Sequence, residues 1–258
     1  MLSIAKPLIP GAHPLDPLSA AEVERAAEIA RAERGLGPRT RFIFTMLHEP
    51  EKKVVLAHRP GDAVERAALV VLVDCAAGKT YEATVSLTQG RVMSWEHVPG
   101  VQPAIVLDEV LACEAAVRED PRWQEAMRKR GVTDFTLTMV DPWSAGNFGF
   151  PGEEGRRLVR ALTWVRRHAA DNGYARPVAN VLAVVDLNEM KVLRVEDGGV
   201  VPLPPEDANY TAEAAGERAG LKPIEIRQPE GRASSSGATS SPGRSGGCGS
   251  GSRRARGW

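Results

Sequence analysis

A predicted helix followed by a series of short predicted β-strands occurs twice along this 258-residue chain. Ser19 and Glu22 form a capping box at the start of the first helix, which runs to Arg34. The second helix, Leu107–Arg118, follows a Pro- and Gly-containing break at residues 98–103. Runs of β-branched residues separated by tight turns favour antiparallel hairpins. Each copy therefore predicts an α+β unit with a helix packed on one face of an antiparallel sheet.

The strand predictions rest on short β-branched or alternating runs bounded by turn residues. A further helical piece begins at Asp120-Pro121 and runs through Arg130. The predicted strands are Arg41–Leu47, Lys53–His58, Ala67–Asp74, Tyr81–Thr88 and Arg91–His97 in the first copy, and Thr133–Val140, Arg157–Arg166, Val178–Leu187 and Lys191–Glu196 in the second.

The composition changes abruptly after Gly231, where Ser, Gly and Arg replace most aliphatic and all acidic residues. Such a segment buries too little apolar surface to offset its ordering entropy, so we expect disorder. A nucleic-acid-binding arm is the alternative, although Ser and Gly dilute its arginines. The predicted organisation is a flexible N-terminus 1–12, a first domain 13–100, a second domain 101–205, a linker 206–231 and a disordered tail 232–258.

Charge and cysteine content limit the classes of function. Lys and Arg together number 33 and so do Asp and Glu, so the whole chain gives no electrostatic argument for nucleic acid or membrane. No apolar run approaches the roughly 20 residues of a membrane span, and the N-terminus lacks the apolar core of a signal peptide. The three cysteines have no metal-ligand spacing. An odd, unpatterned set fits a reducing compartment, which predicts a cytoplasmic protein.

The sequence offers no motif for catalysis or metal binding. His48 and His58 lie near the ends of neighbouring predicted strands, but no third ligand accompanies them. The glycine-rich segment 146–152 lacks the Lys-Ser/Thr and helix of a phosphate-binding loop. The acidic pairs Asp108-Glu109 and Glu153-Glu154 are expected to complement helix dipoles or remain solvated. We therefore predict no catalytic residue and no metal ligand in this chain.

Four aromatic residues fall in predicted loops: Trp143, Phe148, Phe150 and Tyr174. Loop aromatics either line a pocket and cover a neighbouring surface or pack locally within the loop. The residues alone leave both alternatives open.

Several segments, in this order, resemble the two amino-terminal domains of bacterial copper amine oxidases, which are topaquinone-dependent primary-amine oxidases. The segment that begins at His13-Pro14-Leu15-Asp16-Pro17-Leu18-Ser19 and ends at Trp95 resembles the first of these domains. The second is resembled by segments 141–146 (Asp-Pro-Trp-Ser-Ala-Gly), 154–162, 175–178, 201–205, 208–211 and 226–231.

The resemblance implies two successive cystatin-like domains and a parent enzyme that oxidises primary amines to aldehydes, releasing ammonia and hydrogen peroxide. In that family copper and topaquinone lie in a β-sandwich catalytic domain that follows these two domains, and the full-length enzyme is a homodimer. The resemblance thus implies that this chain binds neither cofactor and is inactive alone.

The sequence departs from the family's catalytic pattern. It contains no His-x-His copper motif, and its Asn209-Tyr210 is followed by Thr211 rather than by the acid of the quinone precursor. Tyr210 is therefore rejected as a cofactor precursor. By position, the resemblance places Val110, Pro142, Trp143 and Tyr174 where the family's second domain lines the substrate funnel, and their expected role is to select amine side chains by shape.

The leading hypothesis is a truncated amine oxidase that retains only its accessory domains. A reading-frame slip near Gly231 explains the abrupt end of the resemblance, and a genuine short protein is the rival explanation. One alternative function is a stand-alone cystatin-like binding module, although segment 102–106 does not supply the Gln-x-Val-x-Gly hairpin of cystatin inhibitors. Another is a small-ligand enzyme, which would need a buried acid-base pair that the sequence does not reveal.

Overall fold

A computed structural model of the chain describes residues 13–146, 148–206, 209–216, 218–227, 229, 240–243 and 246–249. Two compact units divide between Pro103 and Ala104, close to the predicted boundary at residue 100. The second unit extends to Lys222, well into the segment predicted as a linker. Each unit contains one four-stranded antiparallel sheet with helices, which confirms the predicted α+β class. The cystatin-like description stays a prediction.

The first unit packs one long helix on a meander of four strands in sequential order. Three buried residues of the helix, Ala26, Ile29 and Ala30, pack against a core that includes Val70 and Leu72. Every neighbouring pair of strands is antiparallel. The elements are α1 (Ala20–Arg34), β1 (Thr40–Leu47), α2 (Lys52–Ala57), β2 (Ala67–Asp74), β3 (Lys79–Ser86) and β4 (Arg91–Val98).

The predicted capping of α1 is confirmed at both ends. Ser19 N–H donates to Glu22 Oε2 at 2.8 Å, and Glu22 N–H donates to Ser19 Oγ at 3.3 Å. The Glu22 carboxylate also pairs with Arg66 at 2.9 Å, which ties the start of the helix to the residue just before β2. Gly35 ends the helix in the left-handed region at φ 58°, where a residue with a Cβ would be strained.

The prediction of a strand at Lys53–His58 is wrong, because residues Lys52–Ala57 form the short helix α2. The adjacent β-branched residues Val54 and Val55 favoured a strand, but β1 pairs directly with β2 and leaves no place in the sheet for a strand between them. None of the α2 residues is buried, so local backbone hydrogen bonding rather than sheet packing sets its conformation.

The second unit repeats the arrangement with two consecutive helices on its sheet. Cys113 and Val117 of the first helix and Trp123 of the second join a buried core with Val159 and Val185. The strands are again sequential and antiparallel. The elements are α3 (Leu107–Glu119), α4 (Pro121–Arg128), β5 (Thr138–Ser144), β6 (Leu158–Val165), β7 (Val181–Asp186), β8 (Lys191–Asp197) and α5 (Ala212–Ala215).

The strand predicted at Thr133–Val140 lies later in the chain than expected. Asp134 accepts a hydrogen bond from Thr136 N–H at 2.9 Å and starts a 3₁₀ turn at Phe135–Leu137, so β5 begins only at Thr138. As a result, Trp143 lies in a strand and not in the predicted loop.

Residues Ser240–Gly243 and Gly246–Gly249 form a short antiparallel pair, β9 and β10. They lie within the segment predicted to be disordered, and there the structure differs from that prediction because main-chain pairing needs no buried side chain. The rest of the predicted tail and the predicted flexible N-terminus 1–12 lie outside the described residues. No helix in the described part of the chain is long and apolar enough to cross a membrane.

Candidate functional site

A carboxylate and two exposed aromatic rings meet on the sheet of the second unit. Trp143 Nε1–H donates to Asp141 Oδ2 at 3.0 Å, and the Tyr174 hydroxyl donates to the same oxygen at 3.1 Å. Trp143 is 58% exposed and Tyr174 is 57% exposed, although both are hydrogen-bonded. We call these three residues the aromatic–carboxylate cluster.

Strand geometry places two members of the cluster side by side. Asp141 and Trp143 are two residues apart on β5, so their side chains point to the same face of the sheet. Pro142 between them is buried and faces the other side, opposite Ala161 of β6. Proline lacks a backbone N–H, and in a central strand this would remove a hydrogen bond to a neighbouring strand. Because β5 is an edge strand, Pro142 is tolerated there.

Tyr174 reaches the cluster from the connection between β6 and β7. Its ring packs edge-on against Trp164 with centroids 5.1 Å apart, and its N–H donates to Asn172 Oδ1 at 3.0 Å. The hydrogen bond to Asp141, with burial and the charge of that carboxylate, raises the pKa of the Tyr174 phenol above its usual value. The phenol is thus held as a protonated donor.

The connection that carries Tyr174 is itself fastened by side-chain hydrogen bonds. Asp171 Oδ2 accepts a hydrogen bond from Arg167 N–H at 2.8 Å. This bond makes the largest contribution to lowering the pKa of Asp171. Asn209 Nδ2–H donates to Asp171 Oδ1 at 2.6 Å, while Asn209 Oδ1 accepts from Asn172 N–H at 2.8 Å. The backbone that precedes Tyr174 is therefore constrained.

Of the four residues predicted to line a funnel, the structure places Pro142, Trp143 and Tyr174 close together. Val110 lies on a separate element, near the start of α3, and is half-buried. Their predicted role in a funnel stays a prediction. Sequence reasoning missed Asp141 as a site residue, although its two-residue spacing from Trp143 on a strand was a signal that they share a face.

The other two loop aromatics belong to a neighbouring cluster. Phe148 and Phe150 lie 6.3 Å apart between centroids, and the guanidinium of Arg160 lies 5.5 Å from the Phe150 ring. Arg160 also pairs with Glu153 at 3.2 Å, and Arg194 pairs with the other Glu153 oxygen at 2.6 Å. This network packs segment 148–153 locally on β6 and β8. The hydrogen bond from Arg194 makes the largest contribution to lowering the pKa of Glu153.

The described residues do not fit a copper or quinone site. Within that part of the chain no three His, Cys, Asp or Glu side chains lie close enough to hold a metal ion. The proposed approach of His48 to His58 depended on a strand that is in fact α2, and the His58 ring instead lies edge-on to His13 at 5.3 Å. Tyr210 is 79% exposed, and its rejection as a quinone precursor stays a prediction.

The first unit contains a cleft that no sequence pattern indicates. It has a volume of about 480 Å³ and lies at the C-terminal end of α1. Its walls include Tyr81 and Trp95, whose ring centroids are 5.1 Å apart, and the Arg34 guanidinium lies 5.3 Å from the Trp95 ring. No residue predicted to be functional lines this cleft.

Comparison with known proteins identifies similar domains and relatives. Residues 19–95 match the model of the AGAO-like N2 domain, and residues 108–214 match that of the copper amine oxidase N3 domain. The chain is 44% identical over 226 residues to a primary amine oxidase of Arthrobacter sp. (strain P1), covering 87% of this chain and 34% of that protein. It is 39% identical to the histamine oxidase of Arthrobacter globiformis, covering 85% of this chain and 32% of that protein.

A solved structure has the same fold. The copper-containing benzylamine oxidase from Hansenula polymorpha superposes with a TM-score of 0.71 at 21% identity, covering 89% of this chain and 39% of that chain. The chain thus spans about a third of the length of the curated relatives it matches.

Proposed function

This chain belongs to the copper amine oxidase family, whose N2 and N3 domains it carries, and we propose that it serves as the accessory part of a primary-amine oxidase. The proposed reaction converts a primary amine, dioxygen and water to an aldehyde, ammonia and hydrogen peroxide. In the family, copper and topaquinone supply that chemistry. Since the described residues do not fit either group, we assign the bond-making steps to a separate catalytic domain.

The observation that carries the proposal is the aromatic–carboxylate cluster, because it exposes two large rings in a fixed geometry. Exposed aromatic rings that are held by hydrogen bonds are suited to contact a ligand or a neighbouring domain. The positions that the resemblance assigns to the funnel, Pro142, Trp143 and Tyr174, coincide with this cluster or adjoin it. We propose that Trp143 and Tyr174 present flat apolar surfaces to the amine's side chain, with Pro142 setting the strand beneath them.

Val110 has a separate part in the proposal. It follows Glu109, whose buried carboxylate is anchored to Arg157, so its backbone position is set by the unit's core. We propose that Val110 limits the width of the funnel from the α3 side. This role predicts that a larger side chain at residue 110 selects against bulky amines.

Assembly and compartment follow the family resemblance. We propose that the complete enzyme is a homodimer and that these two domains alone do not oxidise amines. Cys75 and Cys113 are both buried free thiols, which supports a reducing compartment such as the cytoplasm.

A chimera tests the proposal directly. Residues 13–231 of this chain would replace the matched region of the Arthrobacter sp. (strain P1) primary amine oxidase, and peroxide release would be measured for amines of increasing bulk. We expect the copper-loaded chimera to be active. We expect Trp143→Ala to change the ratio of kcat/KM for bulky amines to kcat/KM for small amines. The 258-residue chain alone should release no peroxide.

Two results would contradict the proposal. One is a folded, copper-loaded chimera without activity. The other is an active chimera whose amine selectivity is the same with and without the Trp143→Ala change, which would leave these domains no part in choosing the substrate.

A further inference from the structure

We propose that the cleft at the C-terminal end of α1 binds small aromatic anions, that is, a planar ring that carries a carboxylate or a phosphate. Two arginines, Arg34 and Arg39, and two aromatic residues, Tyr81 and Trp95, line its walls. Its volume of about 480 Å³ is typical of small-molecule sites. The site goes beyond the proposed function, because it lies within the first unit and involves no amine.

The cleft lies where α1 ends above one end of the first sheet. Gly35 ends the helix, and the chain then enters β1 at Thr40, which also lines the cleft. Tyr81 and Trp95 lie on the sheet face that packs against α1, yet both are only half-buried. Parts of these two rings are therefore left uncovered by the core and accessible to a ligand.

The guanidinium of Arg34 is positioned for an anion. It lies 5.3 Å from the centroid of the Trp95 ring, and its side chain makes no hydrogen bond or ion pair with the described residues. Contact with an aromatic face orients a guanidinium and leaves the N–H groups in its plane for acceptors. These N–H groups match a carboxylate or a phosphate, to which arginine donates two parallel hydrogen bonds. Arg34 therefore supplies the main anion contact.

The charges that line the cleft favour an anion over a cation. Arg39 Nη2 donates to Cys75 O at 3.2 Å, which holds a second positive charge beside the turn after β2. Asp74 is the acidic residue of the lining, and its Oδ1 accepts from Ala76 N–H at 2.9 Å and Ala77 N–H at 3.2 Å. Two arginines and one aspartate leave the lining with a net positive charge.

The aromatic rings select a ligand that is itself planar. The ring centroids of Tyr81 and Trp95 lie 5.1 Å apart, and those of Tyr81 and His97 lie 5.5 Å apart. Aromatic side chains with accessible faces stack on planar ligand rings. The C-terminal end of a helix carries partial negative charge, which opposes a bare anion, so the ring contact has to add to the affinity. We therefore expect dissociation constants on the order of millimolar for an anion with a single ring.

Nuclear magnetic resonance on the ¹⁵N-labelled full chain tests the inference with benzoate and phenyl phosphate as probes. We expect saturable shifts of the Trp95 indole N–H and of the Gly35 amide with both probes. Acetate, which lacks a ring, and benzyl alcohol, which lacks a charge, should shift these signals much less at equal ionic strength. Tighter binding of phenyl phosphate would assign the site to phosphorylated ligands, and tighter binding of benzoate would assign it to carboxylates.

Three variants separate the cleft from the rest of the surface. Arg34→Gln should weaken binding of both probes by about threefold to fivefold, since it removes one exposed charge and keeps an N–H donor. Trp95→Leu should remove the saturable shift of the Gly35 amide, because the ring contact is lost. Arg25→Gln is the matched control, because it removes the same charge from the same helix about 13 Å away, and it should leave binding unchanged.

Equal binding of benzyl alcohol and benzoate, equal binding by Arg34→Gln and the unaltered chain, or no saturable shift with either probe would overturn the inference. If Trp95→Leu loses the spectral dispersion of a folded protein, the salt dependence of the unaltered chain decides instead. Added sodium chloride should weaken benzoate binding, because it screens exposed charges, and binding that is independent of salt would contradict the site. The titration involves no oxidation, so an inactive chimera leaves the anion site standing, and a failed titration leaves the accessory role standing.

Discussion

The carboxylate of Glu109 and the guanidinium of Arg157 form an ion pair that is almost completely removed from solvent, with side-chain exposures of 0% and 3%. One arm of the pair joins Arg157 Nη2 to Glu109 Oε2 at 2.9 Å. The same nitrogen donates to Ala104 O at 2.8 Å, and Glu109 Oε2 accepts from Val106 N–H at 3.1 Å. The pair therefore joins the entry into the second unit, the start of α3 and the residue before β6.

Removing one partner of this pair should destabilise the second unit strongly. Glu109→Gln leaves the Arg157 guanidinium buried without a counter-charge, and such changes cost about 3–5 kcal/mol. Urea unfolding, monitored by circular dichroism, measures this loss of stability. We expect the second unit of the variant to unfold at a lower urea concentration.

A double variant and a surface pair provide the controls. Glu109→Leu combined with Arg157→Leu should recover much of the stability, because neither charge is then buried alone. Glu28→Gln removes the exposed partner of Arg25 and should cost less than about 1 kcal/mol. If Glu109→Gln costs no more than Glu28→Gln, the pair does not hold the unit together.

Short sequence motifs correctly predict the elements whose ends are fixed by contacts between residues close together in the chain. The capping box at Ser19 and Glu22 and the glycine at residue 35 fix α1 through contacts within one turn, and the structure has the predicted bounds. At Lys53–His58 the local signal failed, because whether Val54 and Val55 belong to a strand depends on an available partner strand.

The site was less predictable than the fold because its contacts are long-range. Tyr174 donates to Asp141 across 33 residues, through a connection that no periodicity specifies. The sequence predicts that Glu109 complements the helix dipole or stays solvated. It lies in the first turn of α3, but its burial depends on Arg157, which is 48 residues away. Such pairings follow from strand order and packing, which a single sequence does not contain.

The thiol of Cys113 should be unreactive in the folded chain. Burial, with a smaller effect of the Glu114 charge, raises its pKa to about 12, and the residue is fully buried. Because the thiolate is the reactive form, a disulfide reagent at pH 8 should not modify Cys113 until denaturant is added. Counting modified thiols by mass in the chain and in Cys113→Ala measures this. Rapid labelling of Cys113 without denaturant would show that the α3 core opens.

The side chain of Asn209 should hold the segment after β8 against the β6–β7 connection. Asn209→Ala removes both its bond to Asp171 and its bond from Asn172 N–H. We expect trypsin to cleave after Arg218 about fivefold faster, since the segment opens locally more often. Tyr210→Ala is the matched control, because that neighbouring side chain is 79% exposed and should not affect the rate. Equal cleavage rates for the two variants would mean that Asn209 does not restrain the segment.

Asp197 should make the stability of the second unit depend on pH in the acid range. Hydrogen bonds from Arg130 at 2.8 Å and from Lys129 at 3.2 Å lower the pKa of Asp197 from 3.8 to about 2. Since the folded-state pKa lies below the unfolded-state value, the ionised carboxylate stabilises the unit above about pH 4. This contribution declines as the pH falls from about 4 towards 2 and is fully lost only below the folded-state pKa, where the carboxyl group is protonated in both states.

Comparison with Asp197→Asn isolates that contribution from other acidic groups. Arg130 keeps carbonyl acceptors at Ala126 and Gly199, at 2.9 and 2.6 Å, so the variant should still fold. Urea unfolding at several pH values between 6 and 2 should show the unaltered chain more stable than the variant above about pH 4, with the difference shrinking towards pH 2. Glu96→Gln, an exposed carboxylate on the other unit, should show no such trend. A difference that stays constant over the whole range would mean that the charge of Asp197 is not what the Arg130 and Lys129 bonds stabilise.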